Sequence, residues 1–438
     1  MNTATGMAAV LGSLGLLFGG VRALPRRVVD AELSRKCVHM GMGVVCLSFP
    51  WLFRGPAPVW ALSVAAVAAL GAVRTVPVLR RLLGGVLHGV ERASWGELYF
   101  PLGVAAVFTL AEGRAVLFVV PVALLAFADA AGALVGKRWG RRRYETLEGA
   151  KSLEGSAAVG VTALLCTALP LWVSGYDPTR ALLVAVLLGL LGLLVEAISW
   201  RGLDNVFLPL AAFVQLRVAD TVGVPDLLAR VGVLAALTAV ALFWRRGRIV
   251  DDSARLAGAV ALYYVWAVGG WRWLVAPVLL LASYVRLMPS APGGAPRHNL
   301  TAVVGVGAPA FACCIAASVA GGPGWLWPYT LGLAAQQAII ASVRYSQRRP
   351  QWSRAAWWAA GVAQAVVLQV PMYLLLERGA AVTPGGMAVG AAGVAVAAAG
   401  FVVWEKQLQE PDSLALRWWK QACSSLAASL AGFVFMNL

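Results

Sequence analysis

The chain has 438 residues and a formal net charge of +16, yet only 13% of its residues are charged and 60% are hydrophobic, with a mean hydropathy of +0.76. No water-soluble core can hide that much apolar surface, so a soluble domain architecture is excluded for most of the chain. The basic residues sit in short clusters between apolar stretches instead of along one face, which is the pattern of membrane topology signals and argues against a nucleic-acid surface.

The first apolar stretch, 5–24, has no basic region before it and is followed by Arg26 and Arg27, so it is expected to be a retained span and not a cleaved leader. Further spans are predicted at 37–53, 57–73, 96–111, 115–136, 153–174, 181–198, a short one at 205–218, then 227–244, 254–268, 271–285, 300–320, 325–342, 355–376, 384–404 and 418–436. Their number is about fourteen to sixteen. Clusters such as Arg35/Lys36, Arg80/Arg81/Arg92, Lys137 to Arg143, Arg245/Arg246/Arg248 and Arg344/Arg348/Arg349 separate these spans mostly in pairs, which puts the basic loops in the cytoplasm and the N-terminus outside. Strand-like alternation is absent, so the expected class is an all-α polytopic membrane protein and not a β-barrel.

Six cysteines (Cys37, Cys46, Cys166, Cys313, Cys314, Cys423) lack paired C-x-x-C spacing and read as small apolar residues, and the three histidines (His39, His88, His298) are scattered. Tryptophans such as Trp51, Trp60, Trp172 and Trp271 fall near span ends, as interfacial anchors do.

In a chain of this kind the informative residues are ionisable groups at membrane depth, because they are costly and are usually functional. Asp129 and Glu196, with Glu97, Glu154 and Asp204 at span entrances, are the candidates, and all precede residue 205. Between Asp252 and Glu377 there is no Asp or Glu, which places any carboxylate chemistry in the N-terminal part. Lysine is rare, five against 31 arginines, and Lys36, Lys137 and Lys151 stand near these acids.

The densest polar stretch runs from Phe127 to Ser156. It predicts a helix with Asp129 about two turns inside its end and small residues Gly132 and Gly136, then a basic loop with Arg141 to Arg143, then a new helix opened by Lys151-Ser152-Leu-Glu154-Gly155-Ser156. Free N–H groups at that helix start and the surrounding cations suit phosphates. Asp129 and Glu154 could hold Mg²⁺ between phosphates and protein. The alternative is a topology loop with no ligand. Asp129 needs a cation partner, either Mg²⁺ or Lys151. No G-x-x-x-x-G-K-[ST] pattern is present.

Four segments in order, Glu32 to Gly41, Gly96-Glu97-Leu-Tyr-Phe-Pro101-Leu-Gly103, Asp129 to Ser156, and Glu196-Ala-Ile-Ser-Trp-Arg-Gly202-Leu-Asp204-Asn205, together resemble the polyprenol kinase family, which includes dolichol and phytol kinases. The resemblance implies a phosphotransferase acting on the hydroxyl of a long isoprenoid alcohol in the lipid bilayer, with a nucleoside triphosphate, commonly CTP, as donor and Mg²⁺ or Mn²⁺ as cofactor. It carries catalytic roles to Asp129, Glu97, Asp204, Lys36 and His39. Nucleotide and phosphate contacts fall to Lys137, Arg138, Arg141, Lys151, Ser152 and Gly155, and metal ligation to Asp129, Glu154 and Asp204, with Glu196 and Asn205 as further members. The core of the third segment is shared with phosphatidate cytidylyltransferases, whose Gly-His-Gly-Gly…Asp-Arg ending is not found in this chain. CDP-lipid synthesis and a non-enzymatic transporter or scaffold are the alternative readings. Ala150 stands where the family often has a lysine. The resemblance ends near residue 285, so the expected domains are a catalytic region at 1–288 and an added helical region at 297–438, divided by the Pro- and Gly-rich stretch Pro289 to Pro296.

Overall fold

A computed structural model describes residues 2–23, 31–76, 95–146, 149–198, 202–243, 252–288, 299–321, 323–375, 384–409 and 413–436. His88, His298, the Arg80/Arg81/Arg92 and Arg245/Arg246/Arg248 clusters and the expected divide at 289–296 lie outside the described residues. The chain splits into two compact units, Met1–Ala235 and Ala236–Leu438.

The first unit contains helices α1 (Thr3–Ala23), α2 (Ala31–Leu47), the single turn α3 (Phe49–Leu52), α4 (Pro56–Thr75), α5 (Gly96–Leu110) and α6 (Ala115–Ala123). A π turn, Leu124–Ala128, joins α6 to α7 (Asp129–Trp139), and the three form one 25-residue apolar segment, Ala115–Trp139. Next come α8 (Leu153–Val173), α9 (Pro178–Ile198) and α10 (Asp204–Ala219). The unit division falls within α11 (Val224–Phe243).

These segments are helical because an apolar stretch without water must satisfy every backbone N–H and C=O within itself. Among the described residues, nine helices are long and apolar enough to cross a bilayer, and the protein is a multi-pass, all-α membrane protein. The helix bounds follow the apolar windows of the sequence closely, as at 153–173, 300–320 and 384–404. Segments 254–268 and 271–285, expected as two spans, form α12 (Asp252–Arg286), 35 residues broken at Gly270, whose φ of 68° and ψ of −167° only glycine adopts without strain. A straight helix of that length would reach about 52 Å, well beyond a bilayer core of about 30 Å.

One piece of extended structure departs from the expected all-helical pattern. Strands β1 (Arg143–Thr146) and β2 (Gly149–Ser152) pair antiparallel between α7 and α8, with Tyr144 opposite Lys151 and Arg143 opposite Ser152. Each has four residues, too short to show alternation in the sequence.

Helix contacts around this hairpin are made by glycines. A Cβ at Gly155 would stand 2.8 Å from the Gly132 carbonyl oxygen and 3.1 Å from Gly136 Cα, so α7 and α8 cross with their backbones almost touching. Close approach of small residues is how helices gain packing energy in lipid, where no hydrophobic force draws them together. Gly103 of α5 meets the backbone of Asn205 at the start of α10 in the same manner.

The second unit contains α12, α13 (Leu300–Ala320), α14 (Leu326–Arg348), α15 (Arg354–Leu375), α16 (Pro384–Trp404) and α17 (Leu414–Met436). α14 is central: it packs against α12, α13, α15, α16 and α17 and is buried along most of its length. The division by packing lies after Ala235, whereas the expected 288/297 boundary marks where the family resemblance ends. α12 packs with the C-terminal helices, its Trp273 ring stacked on Tyr329 at 4.6 Å and its Trp273 carbonyl accepting from Tyr329 Oη at 2.8 Å.

Candidate active site

The antiparallel run of helices in the first unit brings six helix ends to one face. α2, α5, α8 and α10 begin there and α7 and α9 end there, which gathers Lys36, His39, Glu97, Asp129, Lys151, Glu196 and Asp204 from across nearly 170 positions of sequence. The opposite face carries a structural cluster. There Arg114, ahead of α6, pairs with Asp220 just after α10, and Tyr176 of the α8–α9 turn donates to Asp220 Oδ1 at 3.0 Å. Burial and the neighbouring Asp220 carboxylate push the Tyr176 phenol above its usual range.

At the centre are three carboxylates. Oxygens of Asp129, Glu196 and Asp204 all lie within 4.8 Å of one another, and each residue is half-buried. Like charges so close repel strongly away from water, and the chain neutralises two of them with its rare lysines. Lys36 Nζ lies 2.6 Å from Asp129 Oδ2, with the Lys36 side chain 3% exposed. Lys151 Nζ lies 2.7 Å from Glu196 Oε1 and also donates to the Glu196 backbone carbonyl. Of the two cation partners expected for Asp129, Mg²⁺ or Lys151, the second is corrected: β2 and the end of α9 set Lys151 on Glu196, and α2 supplies Lys36 to Asp129.

The π turn places Asp129. Pro121 in α6 has no N–H to give, and the wider turn Leu124–Ala128 follows it directly before Asp129. His39 Nε2 stands 3.0 Å from the Leu125 carbonyl oxygen of that turn. Since a carbonyl only accepts, Nε2 carries the proton, and the imidazole braces the turn while lying 3.9 Å from Asp129 Oδ2. Phe100 packs edge-on against His39 at 4.9 Å, which ties α5, and so the half-buried Glu97 one turn earlier, to the same face.

Asp204 opens α10, and Asn205 Nδ2 donates to the Gly202 carbonyl at 3.1 Å and approaches Asp204 Oδ1 at 3.5 Å. Gly202, with φ of 82°, makes the turn that lets α10 start there.

Glu154, expected as a metal ligand, has another task in the structure. Its carboxylate accepts from the backbone N–H of Arg141 at 3.1 Å and of Arg142 at 3.3 Å, so it fastens the link between α7 and β1 onto the start of α8. Glu196, held from sequence as a further member, takes its place beside Asp129 and Asp204. Ser152 caps α8 by accepting from Gly155 N at 3.1 Å, which satisfies one of the N–H groups expected to face phosphate. Lys137, Arg138 and Arg141 to Arg143 are exposed around this cluster, with Arg138 lying over the Trp139 ring at 5.3 Å. Among the described residues, Asp129, Glu196 and Asp204 are the side chains that could hold a divalent ion.

Fold and site together define a multi-pass membrane protein with a cluster of paired charged side chains at one end of a helix bundle. No family model and no solved structure matches the chain. A phytol kinase from Synechocystis sp. is 32% identical to it over 189 residues, which cover 42% of this chain and 77% of that protein. The chain belongs to the polyprenol kinase family, of which phytol kinase is a member.

Proposed function

We propose that this protein transfers the terminal phosphoryl group of CTP to the hydroxyl of a long-chain isoprenoid alcohol of the phytol or polyprenol type. The observation that carries the reading is the convergence of Asp129, Glu196 and Asp204 with Lys36 and Lys151 on the face where the basic hairpin lies. Kinship with a phytol kinase supports the alcohol as acceptor.

Phosphoryl transfer asks for positioning and charge neutralisation more than for covalent help from the protein. Three carboxylate oxygens within 4.8 Å fit a hard divalent cation such as Mg²⁺, and Asp129, Glu196 and Asp204 are the residues that would hold it. That ion, when bound, offsets the negative charge of the phosphates. Lys36 and Lys151, whose ammonium groups stand beside these carboxylates, would meet the phosphate oxygens, and Arg141 to Arg143 would gather the outer phosphates. Asp204 takes the proton of the alcohol as its oxygen bonds to the terminal phosphorus, and the bond to the bridging oxygen breaks to release CDP. The alcohol enters laterally from the bilayer, and the site faces the cytoplasm, where nucleotide is available.

The test is the purified protein with CTP labelled in its terminal phosphate in one arm and in its cytosine ring in the other, offered phytol or phosphatidic acid with Mg²⁺. Label in a prenyl phosphate supports the reading. A CDP-lipid formed from phosphatidic acid, with no prenyl phosphate, would replace it with cytidylyl transfer.

A further inference from the structure

The second unit holds a buried cation that the chemistry above does not use. Arg344 lies one turn from the end of α14 and is 8% exposed. Its guanidinium donates to the Tyr284 hydroxyl of α12 and lies over that ring at 5.0 Å from the centroid. No Asp or Glu occurs between residues 252 and 377, and no carboxylate pairs with Arg344 among the described residues. A charge so enclosed by apolar helices is costly unless something anionic meets it.

A second observation lies on the same side of α14. Gln337, two turns before Arg344 and fully buried, donates to Ser283 Oγ at 2.6 Å and to the Gln364 carbonyl at 2.9 Å, yet its own amide oxygen has no donor. The Gln364 amide oxygen is also buried without a donor, while its amide nitrogen reaches Tyr345 Oη at 2.9 Å. Side chains on a helix lean toward its N-terminus, so Arg344 leans along α14 toward Gln337. Ser283 and Tyr284 are consecutive on α12 and bind Gln337 and Arg344 respectively, which joins the two into one polar recess.

We infer that this recess between α12, α14 and α15 binds the phosphate of a lipid headgroup, with Arg344 on the phosphate oxygens and Gln337 accepting from a headgroup hydroxyl. A planar guanidinium matches phosphate in two-point fashion, and two acceptor oxygens lacking donors call for a ligand that brings O–H groups. The lipid source follows from depth: α12 and α14 close with Arg286 and Arg348, the basic residues that mark a membrane interface, and Arg344 sits one turn inside it. The inference does not depend on the kinase reading of the first unit.

The full-length protein is placed in phosphatidylcholine nanodiscs doped with phosphatidylglycerol, whose headgroup brings both a phosphate and hydroxyls, and retained lipid is counted by native mass spectrometry. Arg344→Gln should lower phosphatidylglycerol retention about tenfold, whereas Arg348→Gln, at an exposed position, should stay within about twofold. Equal retention in wild type and Arg344→Gln overturns the site, and displacement of the lipid by inorganic phosphate overturns the lipid assignment. Should Arg344→Gln not fold, Tyr284→Phe and Arg344→Lys carry the test. Arg344→Lys removes the planar fork and Tyr284→Phe the hydroxyl that orients it, both without removing the charge, and unchanged retention in both overturns the proposal.

Discussion

Lys36 and Asp129 are 93 positions apart, and their side chains meet at 2.6 Å where α2 passes the π turn. If the ammonium stands in for a divalent ion on this carboxylate, removing it frees a ligand and leaves a buried charge. Breaking such a pair costs about 3–5 kcal/mol. Lys36→Met should therefore melt well below wild type without metal, and Mg²⁺ should raise its Tm by more than it raises that of wild type. Equal Mg²⁺ shifts in the two proteins would mean that Lys36 and metal do not share Asp129.

The crossing of α7 and α8 predicts the effect of bulk at Gly155. Valine there would collide with the Gly132 carbonyl and Gly136, backbone atoms that cannot step aside, so Gly155→Val should lose about 1–3 kcal/mol and displace the basic hairpin. Gly160→Ala, whose new Cβ would find its nearest neighbour at 3.5 Å, should be close to neutral. Thermal melts of both variants in one detergent check the contrast.

The helices were legible in the sequence because lipid leaves no other use for twenty apolar residues in a row, and even the break of α12 at Gly270 showed in the paired glycines 269 and 270. That these residues would matter together was partly legible, since charges at membrane depth are rare and Asp129, Glu196, Asp204, Lys36 and Lys151, which the structure gathers, all stood out. Their pairing was not. Whether Lys151 meets Asp129 or Glu196 depends on which helix ends abut, and a carboxylate such as Glu154 has the same letter whether it binds metal or ties down two backbone N–H groups. Ser152 and an acid in the first turn are a helix-start signal, but that signal does not say that Glu154 reaches the N–H groups of Arg141 and Arg142. The π turn left only Pro121 as a trace.

Arg141, Arg142 and Arg143 are exposed, so their action on a nucleotide should be long-range and screened. Replacing all three with Gln should raise the KM for CTP about tenfold at low ionic strength with little change in kcat, and the difference from wild type should shrink as salt rises. Steady-state kinetics across a salt series provides the check. A fall in kcat at constant KM would move these residues into the transition state.

The packing of α12 with α13, α14 and α15 bears on where the chain can be cut. A chain ending at Arg297 would keep α12 while stripping the partners of Trp273, Ala276 and Leu280, all buried in the second unit's core. It should give less monodisperse protein than the full chain, whereas one ending near residue 250 should insert and retain phosphoryl transfer. Size-exclusion profiles and prenol phosphorylation in liposomes report both. Inactivity of a well-inserted chain ending near 250 would show that the second unit takes part in the reaction.

The central claim is that Asp129 belongs to a metal-holding carboxylate cluster and not to a structural ion pair. Asp129→Asn keeps the shape and hydrogen-bonding capacity of the side chain and removes only its charge. The deciding measurement is kcat for prenol phosphorylation per folded molecule of Asp129→Asn, taken across a Mg²⁺ titration. The account predicts a loss of about 100-fold or more in kcat together with a raised Mg²⁺ requirement, because the developing charge on the transferred group loses its neutraliser. A folded Asp129→Asn protein with wild-type turnover and unchanged Mg²⁺ dependence would contradict it.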